Sequence, residues 1–120
     1  MKIEAKDLRI GNLVCFGESG TIFTVGGISA TGLDVSNEDE ETWIEIDVFE
    51  PIPLTEELLL EFGCIVYEFD HKENQYRLDD RLFMIRDGVV CDYASNVKLP
   101  HVHTFQNFIF ALTQKELKQK

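Results

Sequence analysis

Between Arg9 and Lys72 the chain has no lysine and no arginine. The same interval holds 14 aspartates and glutamates, while the flanks are nearly balanced: three basic and two acidic residues in 1–9, eight and six in 72–120. The formal charge of −11 therefore arises in one block. Anionic membrane and nucleic acid both repel such a block, so direct nucleic-acid binding by the middle of the chain is not expected.

Other shortages narrow the field further. The three cysteines, Cys15, Cys64 and Cys91, are odd in number, widely spaced and without a C-x-x-C pair. That argues against a disulfide framework or a zinc knuckle and fits a reducing cytoplasm. No apolar run nears the roughly 18 residues of a membrane span, and Met1–Asp7 has no apolar signal core, so neither membrane association nor export is expected. What is present is an ordinary globular composition, 44% hydrophobic with nine phenylalanines, enough for one domain or two small units sharing a core.

Turns and alternation organise the first half. Residues 13–16, 21–27, 33–35 and 42–48 read as strands, separated by Gly17-Glu18-Ser19-Gly20, by Ala30-Thr31-Gly32 and by the acidic loop 37–41. The Gly26-Gly27 pair marks a bulge or a close backbone approach. Along 42–48, Ile44, Ile46 and Val48 fall on one face and Trp43, Glu45 and Asp47 on the other. A 3₁₀-like turn over 47–50 and Pro51-Ile52-Pro53 then close the unit. Strands this short and closely spaced predict an SH3-like small β-barrel over 1–54.

The second half predicts a helix, a four-stranded antiparallel meander and a final helix, over 55–120. Thr55 is an N-cap followed by Glu56 and Glu57, Leu54, Leu58, Leu59 and Phe62 form a stripe, and Gly63 ends the helix. Strands are expected at 65–69, 75–78, 82–85 and 89–93, with turns at Asp79-Asp80 and Asp87-Gly88. Val102, Phe105, Phe108, Ile109 and Leu112 give the last helix its apolar face, and Thr113-x-x-Glu116 has the form of a capping box. The fold class is α+β.

Three stretches carry a family likeness: Asp7-Leu8-Arg9-Ile10-Gly11-Asn12; Glu50-Pro51-Ile52-Pro53-Leu54 running on to Gly63; and Val102-His103, Gln106-Asn107 and Ala111-Leu112-Thr113 near the end. In these the chain resembles a group of small hypothetical proteins of phages and prophage-like elements of gut bacteria. The group often has Trp at the position of Leu58, an aromatic residue at Cys64 and Gly at Gln114. The resemblance implies a mobile-element setting and a cytosolic location. It implies no catalytic residue and no cofactor.

The candidate sites each have a plain alternative. His101-x-His103 can reach one metal ion, but zinc needs three or four ligands, and His71 and Cys91, the only other soft donors, lack motif spacing. The alternative is a pair of histidines decorating a helix start after Pro100. Asp79-Asp80 reads as a turn before it reads as an acid–base pair, because adjacent strand residues point apart. The cysteines read as core residues rather than nucleophiles. Ser19 lacks the helix of a nucleophile elbow, and the glycine pairs lack the sequence of a phosphate loop. Phe110 lies off the main stripe of its helix. No cofactor, metal or catalytic residue is assigned.

Eleven of the 14 carboxylates fall between Asp34 and Glu61. They are either a solvated, solubilising stretch or a binding face. On the second reading, Glu38, Asp39, Glu40, Glu41, Trp43, Glu45 and Asp47 form an acid-rimmed anchor for a basic protein. Glu45 and Asp47, about 7 Å apart on one strand, would then imitate nucleic-acid phosphates. The expected function is a small acidic accessory protein acting by protein–protein contact. The alternatives are a metal-dependent enzyme around His101 and His103, or a virion or assembly component.

Overall fold

The alternating first fifty residues fold into β1 (Leu13–Phe16), β2 (Ile22–Ile28), β3 (Gly32–Ser36), β4 (Glu41–Glu45) and β5 (Phe49–Glu50). They pair antiparallel in the order β4-β3-β2-β1-β5, as one curled half-barrel. The register shifts between Val25 and Gly27, the bulge that the glycine pair announces. The computed structural model describes residues 3–66 and 75–114, and among these it is α+β with two antiparallel sheets and two α-helices.

The fourth strand is shorter than the alternation predicts. It stops at Glu45, and Ile46–Val48 form a 3₁₀ turn. The reason is Phe49. The chain must turn a corner to set Phe49 opposite Phe16 on β1. There Phe49 is fully buried, edge-on to Phe16 and Phe23 with both centroids 6.4 Å away. Val14, Phe23, Val25, Leu33 and Val35 complete this core with Ile3 and Leu8, and Ile44 and Ile46 pack against it. Val48, expected beside them, is exposed.

The described residues form two compact units, one running to Ile52 and resuming at His101, the other Pro53–Pro100. The last helix, α2 (Val102–Thr113), therefore belongs with the first sheet, where the sequence reading groups it with the second. Polar side chains hold it there. Leu13 N–H donates to Gln106 Oε1 (2.8 Å), and Gln106 Nε2 donates to the Gly11 carbonyl (3.2 Å). Asn12 Nδ2 donates to Asn107 Oδ1 (2.8 Å), and Asn107 Nδ2 to the Asp7 carbonyl (3.0 Å). Asn12 and Gln106 are both buried, so α2 buries Val102, His103, Phe105, Gln106 and Ile109, while Leu112 of the expected stripe is exposed.

In the second unit Thr55 caps α1 (Glu56–Glu61), accepting from Leu58 N–H at 3.2 Å. The sheet is β6 (Ile65–Val66), β7 (Gln75–Leu78), β8 (Arg81–Arg86) and β9 (Val89–Asp92), each antiparallel to the next. Asp79-Asp80 and Asp87-Gly88 are its two-residue turns, and Asp87 and Gly88 both take the positive φ of a tight hairpin. Most of the strand expected at 65–69 and the loop at 70–74 lie outside the described residues, as does the Glu116 end of the expected capping box.

α2 ends with Gln114 in the left-handed region, φ 61° and ψ 21°. Glycine takes that conformation without a Cβ clash. Gln114→Gly is expected to stabilise the fold by about 0.5–1 kcal/mol, raising Tm by a few degrees. An unchanged or lower Tm in a thermal melt would contradict this.

Candidate functional site

The β3–β4 pairing decides which carboxylates share a face. Asp34 lies opposite Trp43, Gly32 opposite Glu45 and Ser36 opposite Glu41. Side chains two apart on a strand point the same way, so Glu41, Trp43, Glu45 and Asp34 project together, away from Leu33, Val35 and Ile44. The indole of Trp43 lies across Gly32, where a Cβ would overlap the ring and the Ile44 carbonyl. The Asp34 carboxylate lies across Gly27 in the same way, 2.7 Å from where a Cβ would stand. These two glycines clear the sheet surface for the two side chains. Trp43 stays 48% exposed, beside a shallow recess of about 420 Å³ lined by Gly26, Asp34, Ser36, Glu41 and Trp43.

The 37–40 loop extends this face. Asn37 Oδ1 accepts from the amides of Asp39 (2.9 Å) and Glu40 (3.0 Å), and Asn37 N–H donates to the Glu40 carbonyl (2.9 Å). This ties the loop into a tight turn with Glu38, Asp39 and Glu40 exposed. Among the described residues no ion pair engages Glu38, Asp39, Glu40, Glu41, Glu45 or Asp47. An edge strand whose outward side chains are two glutamates and a tryptophan attracts cations and discourages edge-to-edge pairing with a like strand.

Asp47 differs from expectation. It sits in the 3₁₀ turn rather than on β4, so Glu45 and Asp47 do not form the strand spacing on which phosphate imitation depends. Asp34 takes its place on the face. Of the eleven carboxylates between Asp34 and Glu61, the eight up to Glu50 belong to the first unit, and Glu56, Glu57 and Glu61 to the second.

The other candidates resolve locally. His101 and His103 stack with rings nearly parallel, 4° apart and centroids 5.7 Å apart. No group of three or more His, Cys, Asp or Glu converges on a metal-sized space among the described residues. His71 lies outside them. Asp79 and Asp80 make the β7–β8 turn. The three thiols are unpaired, and burial pushes the Cys64 thiol up to about 11 and raises that of Cys15, which suits packing rather than nucleophilic attack. Ser19 shares a 2.7 Å hydrogen bond with Thr21 in a turn followed by a strand. Phe110 receives the Arg9 guanidinium over its ring, 3.9 Å from the centroid.

No helix among the described residues is long and apolar enough to cross a membrane. No known family, curated protein or solved structure matches the chain.

Proposed function

We propose that the first unit is an SH3-like small β-barrel of a phage- or prophage-type accessory protein, and that its Trp43 face binds a basic protein partner in the cytoplasm. The observation carrying this reading is a half-exposed tryptophan laid over Gly32 and rimmed by Asp34, Glu41 and Glu45. A planar aromatic ring with carboxylates at its margin suits a lysine or arginine side chain. The ring takes the cation on its face, and the acids supply hydrogen bonds and steer the encounter. Tryptophan is also a residue type enriched at the energetic centres of interfaces. The phage resemblance and the unpaired cysteines support the setting.

The test begins with the chain immobilised in an extract of its host cell, the retained partner being eluted by salt. The pair Asp34→Lys, Glu45→Lys and the single Trp43→Ala are each expected to weaken that partner's binding at least about tenfold. A partner held equally well by both variants would overturn the proposal. Trp43 is the only tryptophan, so its emission reports contact directly.

A further inference from the structure

The first sheet is left open along β4. The half-barrel ends at β4 on one side and at β5 on the other, and these two strands do not pair. β4 pairs with β3 through consecutive positions from Glu41 to Glu45 without a register shift. The ladder fixes which of its backbone groups are engaged. The Asn37 amide donates to the Glu40 carbonyl (2.9 Å) and the Ile46 amide to the Thr31 carbonyl (3.1 Å). Bonded and non-bonded positions alternate along an antiparallel pair, so Thr42 and Ile44 are the β4 residues bonded to β3. The N–H and C=O groups of Glu41, Trp43 and Glu45 therefore face the free edge, where no backbone bond reaches them among the described residues.

Edge strands are normally protected from other strands by proline, lysine, a bulge or a covering loop. β4 has no proline, no lysine and no bulge, and Glu41, Thr42, Trp43 and Glu45 are all exposed. Its protection is charge alone, two glutamates flanking an indole, and that protection is selective. A second copy of β4 laid antiparallel about Trp43 would set Glu41 against Glu45 at both ends and be repelled. A basic strand meets attraction at the same positions.

We propose, resting on the reading that the Trp43 face takes a basic protein, that the partner adds a short extended segment to β4 as a sixth, antiparallel strand. Residues of the segment opposite Glu41, Trp43 and Glu45 exchange main-chain hydrogen bonds with them and project onto the acidic face. Lysine or arginine at these alternate positions meets a carboxylate at each end and the indole between. The recess beside Trp43 adjoins the same edge, with Glu41 and Thr42 of β4 and Asp34 and Ser36 of β3 on its wall, and it receives a lysine stem. The intervening residues fall beside Thr42 and Ile44, where valine, isoleucine or threonine continues the sheet. The recognised chemistry is thus basic and β-branched residues in strict alternation, over about 17 Å of extended chain.

The test is amide hydrogen exchange of the full chain, read by NMR, with the end-capped peptide Thr-Lys-Val-Lys-Val-Lys-Thr. At a peptide concentration about ten times Kd, exchange of the Glu41, Trp43 and Glu45 amides is expected to slow about tenfold, while Thr42 and Ile44 change little. The acidic peptide Thr-Glu-Val-Glu-Val-Glu-Thr is expected to protect none of them. Methylating the backbone nitrogens of the lysines keeps every charge and is expected to weaken binding at least about tenfold, whereas methylating those of the valines, which face away, is tolerated. On the protein side, Glu45 has a φ of −58°, close to that of proline, and its amide has no bond to β3 to lose. Glu45→Pro is expected to keep the parent's Tm and to bind the peptide about fivefold more weakly than Glu45→Gln, which removes the charge alone. No protection of the three amides, even where the Trp43 ring signals move, or indifference to lysine N-methylation, overturns the added strand. Protection that rises with protein concentration in the absence of peptide assigns the edge to a second copy and overturns it too. None of these results touches the Trp43 face itself, which fails only if Trp43→Ala and the Asp34→Lys, Glu45→Lys pair keep the partner captured from extract.

Discussion

Gln106→Leu is expected to destabilise the first unit by about 3 kcal/mol, although leucine matches the apolar character of the surrounding face. Gln106 is 1% exposed and hydrogen-bonds two backbone groups of the 11–13 turn. Its oxygen accepts from Leu13 N–H and its amide donates to the Gly11 carbonyl. Leucine can satisfy neither. A buried donor and a buried acceptor would then be stranded, each at a cost of about 1–3 kcal/mol. Asn12, also fully buried, keeps Asn107 and the Arg9 amide as partners, which limits the damage. Urea unfolding followed by Trp43 emission measures the loss, since that residue lies in the same unit. A variant within 0.5 kcal/mol of the parent, the range of about neutral surface changes, would show that water replaces the glutamine.

Asp92→Ala is expected to loosen the second unit by a similar amount, about 3 kcal/mol. The Asp92 side chain is fully buried. Arg81 approaches it with two nitrogens, Nε at 3.0 Å and Nη2 at 3.3 Å. The Ser95 hydroxyl donates at 2.7 Å and the Ser95 amide at 3.0 Å. Burial opposes the charge, but the Ser95 and Arg81 hydrogen bonds together hold the carboxyl below its ordinary value of 3.8. The sign follows from that direction. The unfolded carboxyl binds protons first as pH falls, so the carboxylate's contribution is full above its unfolded pKa. It is lost as pH falls through the folded value. Hydrogen exchange at the β8–β9 amides should therefore accelerate in Asp92→Ala at neutral pH. The parent should approach the variant only in acid. Equal protection of both proteins at pH 7 would remove the role assigned to this cluster.

Much of the fold was readable because its signals are local. Gly26-Gly27 marked the bulge, Asp87-Gly88 the hairpin and Thr55 the cap, and each depends on residues within a few positions. The 3₁₀ corner was read at 47–50 and falls at Ile46–Val48; the early end of β4 was not readable, since its cause is Phe49 meeting Phe16, 33 residues earlier. The buried face of α2 was read in part, with Val102, Phe105 and Ile109 inside as expected. An apolar stripe predicts Phe108 and Leu112 inward, whereas the unpaired backbone of Gly11 and Leu13 calls for Gln106. At the candidate face, alternation correctly grouped Trp43 with Glu45. It could not find Asp34 or the clearance at Gly32, because both depend on register between strands.

The first unit is written in two separated pieces, and this sets an order of events at the ribosome. Residues 53–100 are contiguous and can complete their sheet as soon as they emerge. The half-barrel appears earlier in the sequence yet must wait for Gln106 and Asn107 to reach Gly11 and Asn12, across more than ninety residues. Contacts this distant slow folding, because the loop they close must be ordered first. The part of the chain made first is therefore the part finished last. Until α2 emerges it holds an acidic, partly assembled sheet, and like charge disfavours adhesion between nascent copies.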